Sequence, residues 1–79
     1  MILDTLGWIH FQMGNFKIAL EFLNDSVKLG GENPIILEHL GDVYLKMGDL
    51  EEAKNIFFRA IELSPNNQKL KEKFESFDN

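Results

Sequence analysis

The chain has 79 residues, of which 44% are hydrophobic and 27% charged, a composition that fits one small folded domain and excludes a disordered chain. It has no cysteine, which excludes disulfides, thiolate metal ligands and a cysteine nucleophile. Thirteen acidic residues against eight basic ones give a net charge of -5, which argues against a nucleic-acid partner. No apolar run approaches the roughly 20 residues that span a bilayer, so we expect no membrane segment.

The sequence repeats itself with a period of 34 residues. Over one period, nine residues are identical to the residue 34 positions later. They include the pairs Gly7/Gly41, Gly14/Gly48 and Ala19/Ala53. A fixed period of this length is typical of a repeat architecture, in which each unit is stabilised by packing on its neighbours.

Each unit has the hydrophobic spacing of two helices, with apolar residues at i, i+3, i+4 and i+7. This pattern predicts helices over 2–13, 16–29, 35–47 and 50–63. Asn33 is a suitable N-cap before Pro34, and Asp49 with Glu52 three residues on is typical of a capping box. Gly48 should end the third helix.

Two glycines lie in the middle of predicted helices, where glycine costs about 1 kcal/mol relative to alanine. Gly7 and Gly41 occupy the same position in the two units. We therefore expect a neighbouring helix to approach closely at both, with Ala19 and Ala53 facing the gap from the partner helix.

A third element follows the two units, from Asn67 to Phe77. Leu70, Phe74 and Phe77 are spaced to bury one side of a helix. The other side should stay in water and is formed by Lys69, Lys71, Glu72, Lys73 and Glu75. This segment is expected to be the polar-faced cap that a helical array requires.

The spacing of these residues resembles the tetratricopeptide repeat. The signature positions are Leu6, Gly7, Gly14, Ala19, Leu40, Gly41, Tyr44, Gly48, Ala53, Phe57, Ala60 and Pro65. The resemblance implies an all-α fold, a right-handed α-solenoid of helix-turn-helix hairpins, with repeats at 1–33 and 34–67 and a capping helix and tail at 68–79. It also suggests the C-terminal part of a longer array.

The resemblance further implies a non-catalytic protein–protein interaction module, in which the first helix of each repeat lines a concave groove for a peptide or helix of a partner. The predicted groove is acidic and aromatic, with Glu72 and Ser76 at its rim. The residues expected to line it are Asp4, Trp8, Phe11, Gln12, Glu38, Asp42, Leu45 and Lys46. A partner of basic or apolar character would suit this surface.

One subset of the family binds C-terminal carboxylates through a lysine three residues before the helix glycine and an asparagine directly after it. Here Asp4 and Glu38 stand at the first position, and Trp8 and Asp42 at the second. The charge is of the wrong sign, so we expect no such carboxylate clamp.

Nothing in the sequence indicates an enzyme, a cofactor or a metal site. His10 is expected to be an inward-facing core residue, while His39 and Asp42 alone would give a metal fewer ligands than a stable site needs. No nucleophile–base spacing occurs.

Alternatives to ligand binding remain. The segment could terminate a longer array whose ligand lies elsewhere, or it could form a homodimer through its uncapped N-terminal face. It could also be a segment of an enzyme or secretion machine whose catalytic part lies outside this chain. The absence of cysteine favours the cytoplasm, with the periplasm as the alternative for a piece of an exported protein.

Overall fold

The computed structural model describes the backbone of residues 2–76 and the side chains of residues 5–76. This part of the chain is all-helical and contains no strand. Its five helices are α1 (Ile2–Gln12), α2 (Phe16–Gly30), α3 (Pro34–Met47), α4 (Leu50–Leu63) and α5 (Gln68–Glu75). Each helix begins and ends within two residues of its predicted bounds, and the predicted all-α hairpin architecture is confirmed.

Local capping explains where the helices of the second hairpin begin. The side-chain oxygen of Asn33 accepts hydrogen bonds from the backbone N–H groups of Ile35, at 2.8 Å, and Ile36, at 3.4 Å. The carboxylate of Asp49 accepts the N–H of Glu52 at 3.3 Å. Between them Gly48 adopts the left-handed conformation, with φ at 85°, and ends α3. Each of these contacts satisfies a terminal backbone group that the helix itself leaves unpaired.

The core lies within and between two antiparallel hairpins, α1–α2 and α3–α4, with α3 packed on α2 as well as on α4. Burial of apolar side chains is the main force that holds such an array together. The buried side chains include five of the predicted signature residues: Ala19, Leu40, Ala53, Phe57 and Ala60.

The two mid-helix glycines make room for large side chains of the partner helix. A Cβ at Gly41 would lie 2.6 Å from the ring of Phe57, and a Cβ at Gly7 would lie 2.8 Å from Leu23. The predicted close approach is therefore present, and the carbonyl oxygen of Ala19 contributes to it at 3.3 Å from the Gly7 Cβ position. At Gly41 the three atoms nearest to the Cβ position all belong to the ring of Phe57, one turn after Ala53.

The capping helix α5 packs on α4. Leu70 is fully buried, and the ring of Phe74 lies 5.8 Å from that of Phe58. Asn67 caps the helix by accepting the N–H of Leu70 at 3.2 Å. Phe77, predicted to share this apolar side, lies outside the described residues.

Candidate functional site

The predicted binding residues lie on α1 and α3, and α5 extends the same surface, which we call the α1–α3–α5 face. Trp8, Phe11, Glu38 and Asp42 are partly buried. The remaining members Gln12, Leu45 and Lys46 are exposed. Asp4 belongs to α1, but its side chain lies outside the described residues.

An aromatic row occupies the α1 side of this face. The ring of Trp8 stacks on Phe11, with centroids 4.8 Å apart and planes at 22°. The Trp8 ring also stacks on the imidazole of His39 in α3, with centroids 4.2 Å apart and planes at 21°. Stacked rings of this kind add about 0.5–1.5 kcal/mol beyond the area that they bury. The row is therefore held in place by contacts between two hairpins.

An ionic cluster occupies the α5 side of the face. The Nζ of Lys73 donates to Glu38 Oε2 at 2.8 Å and to both carboxylate oxygens of Asp42, at 3.0 and 3.1 Å. Lys69 adds a second ammonium at 3.7 Å from Glu38 and is mostly exposed. The prediction that Lys73 stays on the wet side of α5 was wrong, because its ammonium turns back over the two carboxylates of α3.

The titration of this cluster follows from its geometry. Burial raises the pKa of the Glu38 carboxyl, but the hydrogen bond and charge of Lys73, aided by Lys69 and His39, outweigh burial and leave that pKa below its ordinary value of 4.5. Burial lowers the pKa of Lys73, while its bonds to Glu38 and Asp42 outweigh this and raise it above 10.5. Both shifts favour the charged pair.

The contact between α1 and α3 and the contact between α3 and α5 involve equivalent positions of the 34-residue repeat. Lys73 stands 34 residues after His39, and Asp42 stands 34 residues after Trp8. His39 thus stacks on Trp8 at the place where Lys73 binds Asp42 one repeat later. Sequence reasoning missed both contacts, although the 34-residue offset, applied across neighbouring helices, could have paired these positions.

The other histidine serves the first hairpin. The ring of His10 stacks on Phe22 of α2 at 5.5 Å, and its Nδ1 lies 3.4 Å from the amide nitrogen of Asn15. The residue is only partly buried, so it is less enclosed than the predicted core histidine. Across the described residues, no three histidine or carboxylate side chains come together as they would around a metal ion.

Within residues 2–76, none of the helices combines the length and the apolar character that crossing a membrane requires.

The family follows from the repeat, the paired hairpins and a direct match. The model of the tetratricopeptide repeat family matches residues 2–30 and again residues 36–67. The chain belongs to the tetratricopeptide repeat family, whose repeats mediate protein–protein interaction and carry no catalytic site of their own.

The chain is also similar to three proteins from different organisms. The chain is 38% identical over 56 residues to the anaphase-promoting complex subunit cut9 of Schizosaccharomyces pombe, matching 71% of the chain and 8% of cut9. It is 32% identical over 56 residues to the TPR repeat-containing protein MJ1428 of Methanocaldococcus jannaschii, 71% of the chain and 10% of that protein. It is 25% identical over 65 residues to ycf37 of Pyropia yezoensis, 82% of the chain and 36% of ycf37. The matched segment thus spans a tenth or less of the first two relatives and about a third of ycf37.

Proposed function

We propose that this chain is a non-catalytic interaction module that binds a segment of a partner protein on its α1–α3–α5 face. The observation that carries the proposal is the aromatic row, in which Trp8 is stacked on both Phe11 and His39 and is still partly exposed. Aromatic side chains are among the strongest anchors of protein interfaces. A ring that is already fixed loses little conformational freedom when a partner binds.

The ionic cluster changes which partner chemistry the face favours. Glu38 and Asp42 were expected to select a basic partner, but the ammonium of Lys73 already lies between them. A cationic side chain of a partner would have to compete with an ammonium that the fold holds in place. The primary anchor is therefore apolar, and any basic group of the partner contributes less.

Selection from a displayed library of random linear peptides tests this function. We expect the selected peptides to share an aromatic or branched aliphatic residue. Their affinity for the Trp8→Ala variant should fall roughly tenfold or more, the loss typical of a buried aromatic anchor. Asp42→Asn should change affinity much less, because that carboxylate is engaged within the chain.

A matched control keeps the interpretation specific. Leu29 is the most exposed of the large apolar side chains in the described residues, at 78%, and belongs to α2, which is not part of the α1–α3–α5 face. Leu29→Ala should leave binding unchanged. The proposal fails if Trp8→Ala, shown by circular dichroism to be folded, binds the selected peptides as well as the unaltered chain does. It also fails if the selected peptides are basic and depend on Asp42 instead.

A further inference from the structure

The α1–α3–α5 face carries a basic side chain that the fold leaves without an ionic partner. Lys46 lies in the last turn of α3 and is exposed. Within residues 5–76, no carboxylate comes close enough to the Lys46 ammonium to form an ion pair. Lys73 differs, because its ammonium is bound by Glu38 and Asp42. Lys46 can therefore pair with a negative charge from outside the chain.

The acidic residues nearest to Lys46 in the sequence have other contacts. Asp42, one turn before Lys46, accepts hydrogen bonds at 3.0 and 3.1 Å from the lysine ammonium of α5. Asp49, three residues after Lys46, caps α4 by accepting the N–H of Glu52. On the α1 side, residues 5–16 contain no aspartate, glutamate, lysine or arginine. The neighbouring carboxylates are thus engaged within the chain, whereas the Lys46 ammonium is not.

The sign of charge that a docked segment favours depends on the charges nearest to it. The net charge of -5 acts against an acidic partner at long range. At physiological ionic strength, however, exposed charges further apart than about 8 Å are largely screened from each other. On the α5 side of the face the exposed charges have both signs, Lys69 and Glu72, and favour neither. Charge complementarity with Lys46 therefore favours a carboxylate on the partner.

The distance from the aromatic row to Lys46 sets where this carboxylate lies on the partner. Trp8 stacks on His39 of α3, and Lys46 is seven residues further along the same helix, which places it on the same helical face. A rise of about 1.5 Å per residue puts Lys46 about 10 Å beyond His39. An extended chain advances about 3.3 Å per residue, so about three residues cover this distance.

The two ends of α3 differ in character on this face. Ile35, one turn before His39, is apolar and 60% exposed, whereas Lys46 provides a cation at the other end. Both residues belong to the central helix of the face, with α1 on one flank and α5 on the other. A docked segment thus meets an apolar surface on one side of the aromatic row and a positive charge on the other.

We infer that the segment bound on the α1–α3–α5 face carries a side-chain carboxylate about three residues from its apolar anchor, and that this carboxylate pairs with Lys46. The anchor lies on Trp8, and the carboxylate lies toward the C-terminal end of α3. This inference rests on the proposed function, because it names the partner chemistry of the same face. It differs from the basic partner expected from the sequence, since Glu38 and Asp42 are already bound by Lys73.

Synthetic peptides copied from the selected library members test the inference on the full chain. We expect an aspartate or glutamate about three residues from the shared apolar residue. Fluorescence anisotropy then measures a double-mutant cycle, in which Lys46→Met is combined with replacement of that acidic residue by its amide. Each single change should weaken binding about threefold, as for an exposed ion pair, and the two together should weaken it no more than either alone.

Charge reversal gives a second measurement of the same contact. Lys46→Glu places a carboxylate opposite that of the peptide and should weaken binding roughly tenfold. A peptide with lysine at the acidic position should recover the lost affinity for this variant. Far-ultraviolet circular dichroism confirms that each variant is folded.

Two controls separate this contact from a general effect of charge. Lys17 is also an exposed lysine, but it belongs to α2, which is not part of the α1–α3–α5 face. Lys17→Met should therefore leave the affinity unchanged. Amidation of the peptide C-terminus should have no effect either. A loss of affinity on amidation would assign the carboxylate to a chain terminus and overturn the inference.

The remaining outcomes distinguish this inference from the proposed function. Equal losses in Lys46→Met and Lys17→Met, or independent effects of Lys46 and the acidic residue, would overturn the inference. Selected peptides that depend on Trp8 but have no acidic residue at this spacing would also overturn it, and the proposed function would still stand. Peptides whose affinity does not depend on Trp8 would instead contradict the proposed function and the inference together.

Discussion

The ammonium of Lys73 in α5 lies 2.8 Å from the carboxylate of Glu38 in α3, a residue 35 positions earlier in the chain. This bond joins two helices that do not follow each other in sequence. Besides covering α4, α5 thus contributes the Lys73 ammonium to the α1–α3–α5 face. This ammonium offsets part of the negative charge of the two carboxylates of α3.

Removal of the Lys73 ammonium should destabilise the fold. Its side chain is 28% exposed and those of Glu38 and Asp42 are less exposed, so the loss leaves two carboxylates close together and poorly hydrated. We expect Lys73→Met to lower the free energy of unfolding by about 2 kcal/mol, between the values for exposed and buried pairs. Urea denaturation measures this. Lys69→Met is the control, because that lysine is 73% exposed and its loss should cost little.

The same cluster predicts a specific pH dependence. The pKa of Glu38 is lower in the folded chain than its ordinary value of 4.5, so its contribution is present above pH 4.5 and is lost as the pH falls through the folded pKa. The pKa of Lys73 is raised above 10.5, so its contribution is complete below that pH and is lost as the pH rises through the folded pKa.

Urea denaturation of Glu38→Gln across the acidic range checks this sign. The variant should be less stable than the unaltered chain at neutral pH, and the difference should shrink as the pH falls below 4.5. A stability difference that is constant from neutral to strongly acidic pH would show that the carboxylate charge of Glu38 contributes nothing.

Much of the fold could be predicted from the sequence because its signals are local. Apolar spacing sets the helices, and Asn33, Gly48 and Asp49 set the helix ends, each through neighbours no more than five residues away. The contact of Lys73 with Glu38 could not be read in this way. It depends on the register between two helices and on a long side chain that crosses from one to the other.

The contact at Gly41 shows a second limit of sequence reasoning. A helical pattern assigns Ala53 and Phe57 to one face, but it does not say which of the two reaches the glycine. Side chains on a helix lean toward its N-terminus. A given spot on the helix surface is therefore covered by a residue that lies further toward the C-terminus than the residue whose Cα is level with that spot. The ring of Phe57, one turn after Ala53, therefore fills the space.

Gly41→Ala should destabilise the chain although alanine favours helices. The added methyl would lie 2.6 to 2.9 Å from three ring carbons of Phe57, and such overpacking costs about 1–3 kcal/mol, more than the gain of about 1 kcal/mol in helix propensity. Thermal unfolding measures the net loss. Gly30→Ala is the control, since nothing beyond its chain neighbours and its own helix backbone lies within 4 Å of its Cβ position, and it should be neutral or stabilising.

The stacking of His39 on Trp8 can be followed by fluorescence, because Trp8 is the chain's single tryptophan. His39→Ala removes the ring that covers one side of the indole, so emission should shift to longer wavelength and the free energy of unfolding should fall by about 1 kcal/mol. The other histidine provides the comparison. His10 stacks on Phe22, and His10→Ala should leave the emission maximum in place. If both variants shift the emission equally, the indole senses a general loosening of the fold, and the stacked contact between the two hairpins would no longer account for the rigidity of the aromatic row.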